Sequence, residues 1–220
     1  MDLYSHQKSG NFRPFILMLF QVFFTSISII LLMTNTSGNT TAVFYSLLTI
    51  VFFNLFTTLR FGATLFVFMK RRIPTEELFS VVFAFALYYI GFIIIDLYTG
   101  NPSILLIIIG ILLFLFGSLI NFISELQRNK WKNNPKNNER IFTTGFFALS
   151  RHPNYFGDFL WVLGYALVSG SLWSLVIPVL LALFFQFYNI PLQEKHMVEK
   201  YKDQYKEYKK RVKGFFPFLF

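Results

Sequence analysis

Apolar residues in this chain gather into long uninterrupted blocks, and the polar residues lie between them. Pro14 to Met33 is twenty residues without a charge. At roughly 1.5 Å of rise per residue, that is enough to cross about 30 Å of hydrocarbon. Further blocks run from Val43 to Met69, from about Leu78 to Leu97 and from about Ile104 to Ile123. Phe156 to Tyr188 holds two shorter blocks, divided near Ser169-Gly170-Ser171. The punctuation agrees with helices. Thr75 can cap a helix with Glu76 and Glu77 in its first turn, and Pro102 can start one after Asn101. The pattern predicts an all-α fold, a polytopic transmembrane helical bundle of about six spans. From Gln193 onward the chain is charged. There Val198, Tyr201, Tyr205, Tyr208 and Val212 recur at helical spacing, with Lys195, Lys202, Lys206, Lys209 and Lys210 on other faces. This predicts a C-terminal amphipathic helix lying on the cytoplasmic membrane surface.

Composition supports the membrane class. Of the 220 residues, 55% are hydrophobic and only 14% charged, against about 25% charged in soluble domains. The net charge of +9 would suggest nucleic acid in a soluble protein. Here nineteen of the twenty Lys and Arg residues fall in the tails and the loops assigned to one side, and none falls in a loop of the other. The positive-inside rule then places both termini in the cytoplasm, with membrane lipid rather than nucleic acid as the partner of most of these cations. The first block lacks a small-residue cleavage site, so it reads as a retained span. No linker separates two domains, and oligomeric state is left open. Cysteine is absent, which excludes disulfides and thiolate metal sites. Three histidines, His6, His152 and His196, are too scattered for a metal centre.

A few polar residues stand out. Arg60 lies about 14 Å inside the end of the second block, on one helical face with Asn54, Thr57 and Thr64. Either that face lines a cavity or partner helices, or the span ends near Arg60 and the rest lies in the interface. Asp96 sits near an outer boundary and is expected to be solvated. Tyr88 and Tyr89 read as bundle aromatics. Arg128, Lys130, Lys132 and Arg140 form a basic segment that suits phosphates or lipid headgroups. Next to it, Arg151, His152, Asn154, Tyr155 and Asp158 crowd into eight residues at the mouth of the fifth span. Charges at such an entry are costly unless paired or used. Glu194 stands where the last span leaves the membrane. No G-x-G-x-x-G, Walker loop, G-x-S-x-G or H-E-x-x-H motif occurs.

At Arg151-His-Pro-Asn-Tyr155 the sequence resembles a superfamily of membrane enzymes: sterol reductases, steroid 5-alpha-reductases, and isoprenylcysteine and phospholipid methyltransferases. The likeness covers roughly 121–220. It implies a cofactor-binding region over 121–220 and a transmembrane scaffold over 1–120, within one integral bundle. Among these enzymes the chain is similar to bacterial steroid-5-alpha-reductase-like proteins, which implies a bacterial inner membrane. Asn154-Tyr-Phe-Gly-Asp158, the Gly164-Tyr-Ala-Leu167 continuation and Gln127-Arg-Asn-Lys-Trp-Lys132 look like the reductase branch. On that resemblance the enzyme passes a hydride from NADPH to an activated C=C bond of a lipophilic, steroid- or isoprenoid-like substrate. Arg128 and Lys132 would hold the phosphates, and Asn154, Tyr155 and Asp158 the nicotinamide and ribose. Arg151, His152 and Glu194 would complete the pocket, with Tyr155 as the donor that polarises the substrate carbonyl. Asn189 and Gln193 stand where sterol reductases place an Arg and an Asp, a departure from the reductase pattern. Glu207-Tyr-Lys-Lys-Arg-Val212 with Pro217 resembles the tail of the methyltransferase branch, which would use S-adenosylmethionine on a prenyl or lipid substrate.

Overall fold

Helices form where the apolar blocks predicted them. A computed structural model describes residues 12–35, 40–69 and 73–217, and among these there is no strand. The tail with His6 and Lys8, the Lys70-Arg71-Arg72 cluster and most of the loop predicted over Thr34 to Thr41 lie outside the described residues. The helices are α1 (Arg13–Thr34), α2 (Thr41–Ala63), α3 (Thr75–Ala86), α4 (Phe92–Thr99), α5 (Ile104–Lys132), α6 (Pro153–Ser169), α7 (Val176–Phe184) and α8 (Ile190–Arg211). Single π-helical turns extend α2 through Phe68, join α3 to α4 and join α7 to α8. Helix α2 therefore runs straight through Arg60, and the span does not end there.

Among the described residues, five helical runs are long and apolar enough to cross a membrane. The sixth expected span, α6, has 17 residues, about 26 Å, somewhat short of a bilayer core. It ends at Gly170, whose φ of +62° only glycine adopts freely and whose Cβ would stand 2.5 Å from the Pro102 backbone. The run that follows extends over 40 residues, from Leu172 to Arg211. Only its part up to Leu192 is apolar, because eleven of the nineteen residues from Gln193 to Arg211 are charged.

The chain divides into two compact units. The first comprises residues 1–112 and 164–175. Its helices are inverted relative to those of a soluble protein. In α1, Gln21, Thr25 and Ser28 are buried while Leu19, Phe23 and Ile30 are exposed. This is stable only where the surroundings are lipid, because there the polar groups must find partners inside. Several do: Thr25 Oγ1 lies 3.0 Å from Thr58 Oγ1, which lies 3.0 Å from the Tyr89 hydroxyl. Tyr165 donates to Asn54 Oδ1 at 2.9 Å, and Asn54 Nδ2 donates to the Tyr89 carbonyl at 3.3 Å. Leu17, Leu65 and Ile73 form a second core. Beside it Arg13 donates to the Ile73 carbonyl and, at 2.9 Å, to Thr75 Oγ1. Thr75 is thus the first helical residue of α3 and not its cap, because its hydroxyl serves Arg13. Asp96, expected to be solvated, is only 1% exposed, since α4 turns that face toward Ser46 of α2.

The second unit comprises residues 113–163 and 176–220. Here α5 and α6 touch backbone to backbone. A Cβ on Gly117 would stand 2.6 Å from the Gly157 carbonyl oxygen and the Trp161 nitrogen. Phe185, Ile190 and Phe215 form the core, flanked by Tyr155, Phe156 and Phe159. Helix α8 is broken at Lys202, whose φ of 45° and ψ of −120° suit glycine. The chain reverses there. Lys209 consequently reaches Glu194, fifteen residues earlier, a separation of about 22 Å along a straight helix. The expected amphipathic pattern placed Lys209 on another face from the Val and Tyr stripe; the reversal brings its ammonium to Glu194 while the side chain stays half-exposed.

Gly117→Ala should destabilise the detergent-purified protein by about 1–3 kcal/mol, because neither backbone can give way. Gly62→Ala should be neutral or slightly stabilising, since its Cβ would meet only the tip of Met18 at 3.4 Å. Thermal melting of both variants checks the contrast, and equal effects would refute the close packing of α5 on α6.

Candidate functional site

The polar centre of the second unit is the Glu194 carboxylate. Glu194 sits one turn into α8, just after the apolar part of that helix. Arg151 and His152 arrive from the residues preceding α6. There the chain is fixed by a short 3-10 turn, Gly145–Ala148, and by Pro153 at the helix start. The folded-back tail clamps the same segment. Arg151 N donates to the Lys213 carbonyl at 2.8 Å and His152 N to the Gly214 carbonyl at 3.2 Å. Ser150 Oγ donates to the Gly214 carbonyl at 2.7 Å.

Side chains complete the junction. Arg151 donates to Glu194 Oε1 through Nε at 2.9 Å and Nη2 at 2.5 Å. Its third nitrogen, Nη1, serves the Val212 carbonyl. Lys209 donates to the other oxygen, Oε2, at 2.6 Å. His152 Nε2 stands 3.5 Å from Oε1, and Nδ1 lies 3.1 Å from Gln193 Oε1. The Tyr155 ring stacks between His152, at 5.6 Å and 13°, and Phe185, at 4.5 Å and 19°. Arg151 and Glu194 are about nine-tenths buried as side chains, and His152 is 3% exposed.

Burial alone would raise the Glu194 carboxyl, but hydrogen bonds from His152, Lys209 and Arg151 outweigh it and hold it well below the usual carboxylate range. Burial also sets the direction for His152, lowering it against the opposing pull of Glu194, so the ring is neutral at pH 7.

A cleft of about 640 Å³ opens beside this junction. Arg151, Glu194, Lys195, Glu199 and Lys209 supply its charged lining; Ile190, Pro191, Val198 and Phe215 supply apolar wall. Of the residues singled out in the sequence, Arg151, His152, Tyr155 and Glu194 come together. The others lie elsewhere in the unit. Asp158 Oδ1 accepts from Asn121 at 2.8 Å and from the Trp161 indole at 2.7 Å. The Asn154 carbonyl accepts from Asn121 at 3.2 Å. Arg128 is held by Glu125 at 2.5–2.6 Å, one turn away on α5, and Lys132 is exposed at the end of α5. None of these four lines the cleft. Lys209, Glu199 and Gln193 were missed as site residues. Gln193 was visible only as a departure from sterol reductases, and Lys209 depends on a backbone reversal that no turn residue announces.

Fold and site define an integral membrane protein with a buried Arg-His-Glu junction at the end of its bundle. A family profile described as "Protein of unknown function (DUF1295)" matches residues 59–212, and the chain belongs to that family. Its relatives place it in the superfamily of membrane steroid reductases and isoprenylcysteine methyltransferases. It is 29% identical over 103 residues to the protein-S-isoprenylcysteine O-methyltransferase of Schizosaccharomyces pombe, covering 47% of this chain and 41% of the relative. It is 35% identical over 78 residues to the probable O-methyltransferase ustE of Ustilaginoidea virens, covering 36% and 26%. It is 30% identical over 112 residues to the human 3-oxo-5-alpha-steroid 4-dehydrogenase 2, covering 51% and 42%. The chain thus spans less than half the length of each of these relatives.

Both titrations work in the same direction. Below the ordinary histidine value of 6.5 the unfolded chain protonates His152 while the folded chain resists. Below the ordinary glutamate value of 4.5 the same holds for Glu194. The unfolded state then binds more protons, so stability falls as the pH falls. The melting temperature of detergent-purified protein should drop on acidification below about pH 6.5, and His152→Asn should lose the first part of that drop. An unchanged acid profile in the variant would contradict a buried neutral His152.

Proposed function

We propose that this chain is an integral membrane methyltransferase that uses S-adenosylmethionine to methylate an oxygen of a lipophilic acceptor. The observation that carries the reading is the mixed charge of the cleft. Arg151, Lys195 and Lys209 stand in one lining with Glu194 and Glu199, against an apolar wall. A zwitterionic amino-acid end fits such a set, with its carboxylate toward Lys195 and its ammonium toward Glu199, the charged lining groups outside the Arg151–Glu194–Lys209 junction. Polyanionic NADPH fits it less well, and the cations that would serve its phosphates are not there. Arg128 is already engaged by Glu125, and Asp158 spends Oδ1 on Asn121 and Trp161.

When bound, S-adenosylmethionine supplies an electrophilic methyl group on a sulfonium sulfur. Its transfer to a carboxylate oxygen of the acceptor would break the carbon–sulfur bond and cancel the positive and negative charges, leaving an ester and a neutral thioether with no proton to move. The chain's task is to bind, orient and exclude water. The Arg151–Glu194 pair fixes the cleft wall, and Ile190, Val198 and Phe215 offer apolar surface to an acyl or prenyl chain. On this reading the cleft, with its surrounding Lys and Arg residues, faces the cytoplasm, where the cofactor is available.

A second reading, hydride transfer from NADPH, is favoured by Asn154-Tyr-Phe-Gly-Asp158 and by the similarity to the human 3-oxo-5-alpha-steroid 4-dehydrogenase 2. Thermal melting of the detergent-purified full chain with S-adenosylmethionine, with NADPH and with neither separates the two. A ligand at about a hundred times its dissociation constant adds about 2.7 kcal/mol of stability. S-adenosylmethionine should give that shift, and Glu199→Gln should weaken it without altering the melting point of the free protein. A shift with NADPH alone would overturn the methyl-transfer reading.

A further inference from the structure

We infer that Gln186 selects the acceptor: its amide binds a hydrogen-bonding group, a hydroxyl or carbonyl, that the lipophilic acceptor carries part-way along its apolar chain. The inference rests on the methyl-transfer reading for the carboxylate at the other end of that chain. Gln186 belongs to the π turn Phe185–Asn189 that joins α7 to α8. It stands seven residues before Gln193, where the charged part of the chain begins, about 10 Å inside the apolar run. Its neighbours Phe184, Phe187 and Tyr188 are exposed, as lipid-facing residues are. Gln186 instead lines the cleft that also holds Glu194, with Ile190, Pro191 and Phe215.

The π turn is what puts it there. In an α-helix, residues five apart point roughly 140° away from each other. A π turn bonds residue i to i+5, which brings such residues close to one face. Phe185 and Ile190 accordingly share the core, and Gln186 and Pro191 share the cleft. An amide at this depth costs free energy unless it finds a partner. Among the described residues nothing bonds to the Gln186 amide, and it is the one uncharged polar side chain in the cleft lining. A glutamine offers both donors and an acceptor, so it can read a hydroxyl or a carbonyl. To a plain hydrocarbon chain it gives nothing that a leucine would not give better.

Distance sets where the group lies. Gln186 and Glu194 are eight residues apart, about 12 Å along the axis. The zwitterionic end of the cofactor takes Lys195 and Glu199, so the reacting carboxylate lies toward Glu194 and the polar group near the middle of the acceptor's chain. The acceptor class is then a carboxylic acid amphiphile with a mid-chain oxygen.

The test titrates the detergent-purified full chain with stearate and with stearate carrying a mid-chain hydroxyl. Both are used at equal mole fraction in the same micelles, and affinities are read from thermal melting. The wild type should bind the hydroxylated acid about three- to tenfold more tightly, the range of one net hydrogen bond. Gln186→Leu should bring that ratio to about one. Gln186→Asn keeps the amide but draws it back by one methylene; it should lower the ratio, and it serves as the test if Gln186→Leu does not fold. Equal binding of the two acids by the wild type, failure of both to bind, or a preference kept in the variants would each overturn the inference. A separate titration of the wild type with S-adenosylmethionine tells the two failures apart. No shift there with the hydroxyl preference intact sinks methyl transfer and supports Gln186 as the selecting residue. A shift there with no preference sinks the role of Gln186 alone.

Discussion

Glu194 divides its two oxygens between groups from separate stretches of chain: Arg151 on one, Lys209 on the other. A carboxylate and a guanidinium taken out of water each lose several kcal/mol of hydration, and attraction recovers this only when nearly every donor and acceptor is used. Here they are. Arg151 spends Nε and Nη2 on Glu194 and Nη1 on the backbone of the returning tail. Breaking the pair would strand a buried charge, so the junction cannot loosen in part. The entry to α6, the first turn of α8 and the C-terminal tail are fixed together, and the cleft that shares Arg151, Glu194 and Lys209 acquires a rigid wall.

The same rule governs the first unit with neutral groups. Lipid gives no hydrogen bonds, so α1, α2 and α4 turn Thr25, Ser28, Ser46, Asn54, Thr58 and Asp96 inward and leave residues such as Leu19, Phe23, Leu48 and Phe52 outside. Several buried polar groups are answered by a neighbour, as in the Thr25–Thr58–Tyr89 chain. Such networks specify which helix faces meet, a task that apolar packing alone does poorly when the solvent is equally apolar.

Much of this was legible in the sequence. Block lengths gave the spans, and the Ser169-Gly170-Ser171 break falls where α6 ends. Charge crowding drew attention to Arg151, His152 and Glu194, because ions at a membrane mouth need partners. What could not be read was which polar residue meets which. Asp158 and Arg128 have the chemistry of cofactor ligands, yet helical spacing hands Arg128 to Glu125 and places Asp158 one turn from the Trp161 indole. Asp96 was misjudged because its distance along the chain from a loop says nothing of the face it occupies. Lys209 was misjudged because the reversal at Lys202 uses a backbone conformation that its residue type disfavours.

The cooperative junction at Glu194 is measured most directly by a double-mutant cycle of Arg151→Met and Glu194→Gln, read as unfolding free energies of the purified protein. Each single change leaves a buried partner uncompensated and should cost about 3–5 kcal/mol. The double change should cost clearly less than their sum, with a coupling of at least about 1 kcal/mol. Additivity to within about 0.5 kcal/mol would mean that the two side chains act independently, and the site built on their pairing would fall.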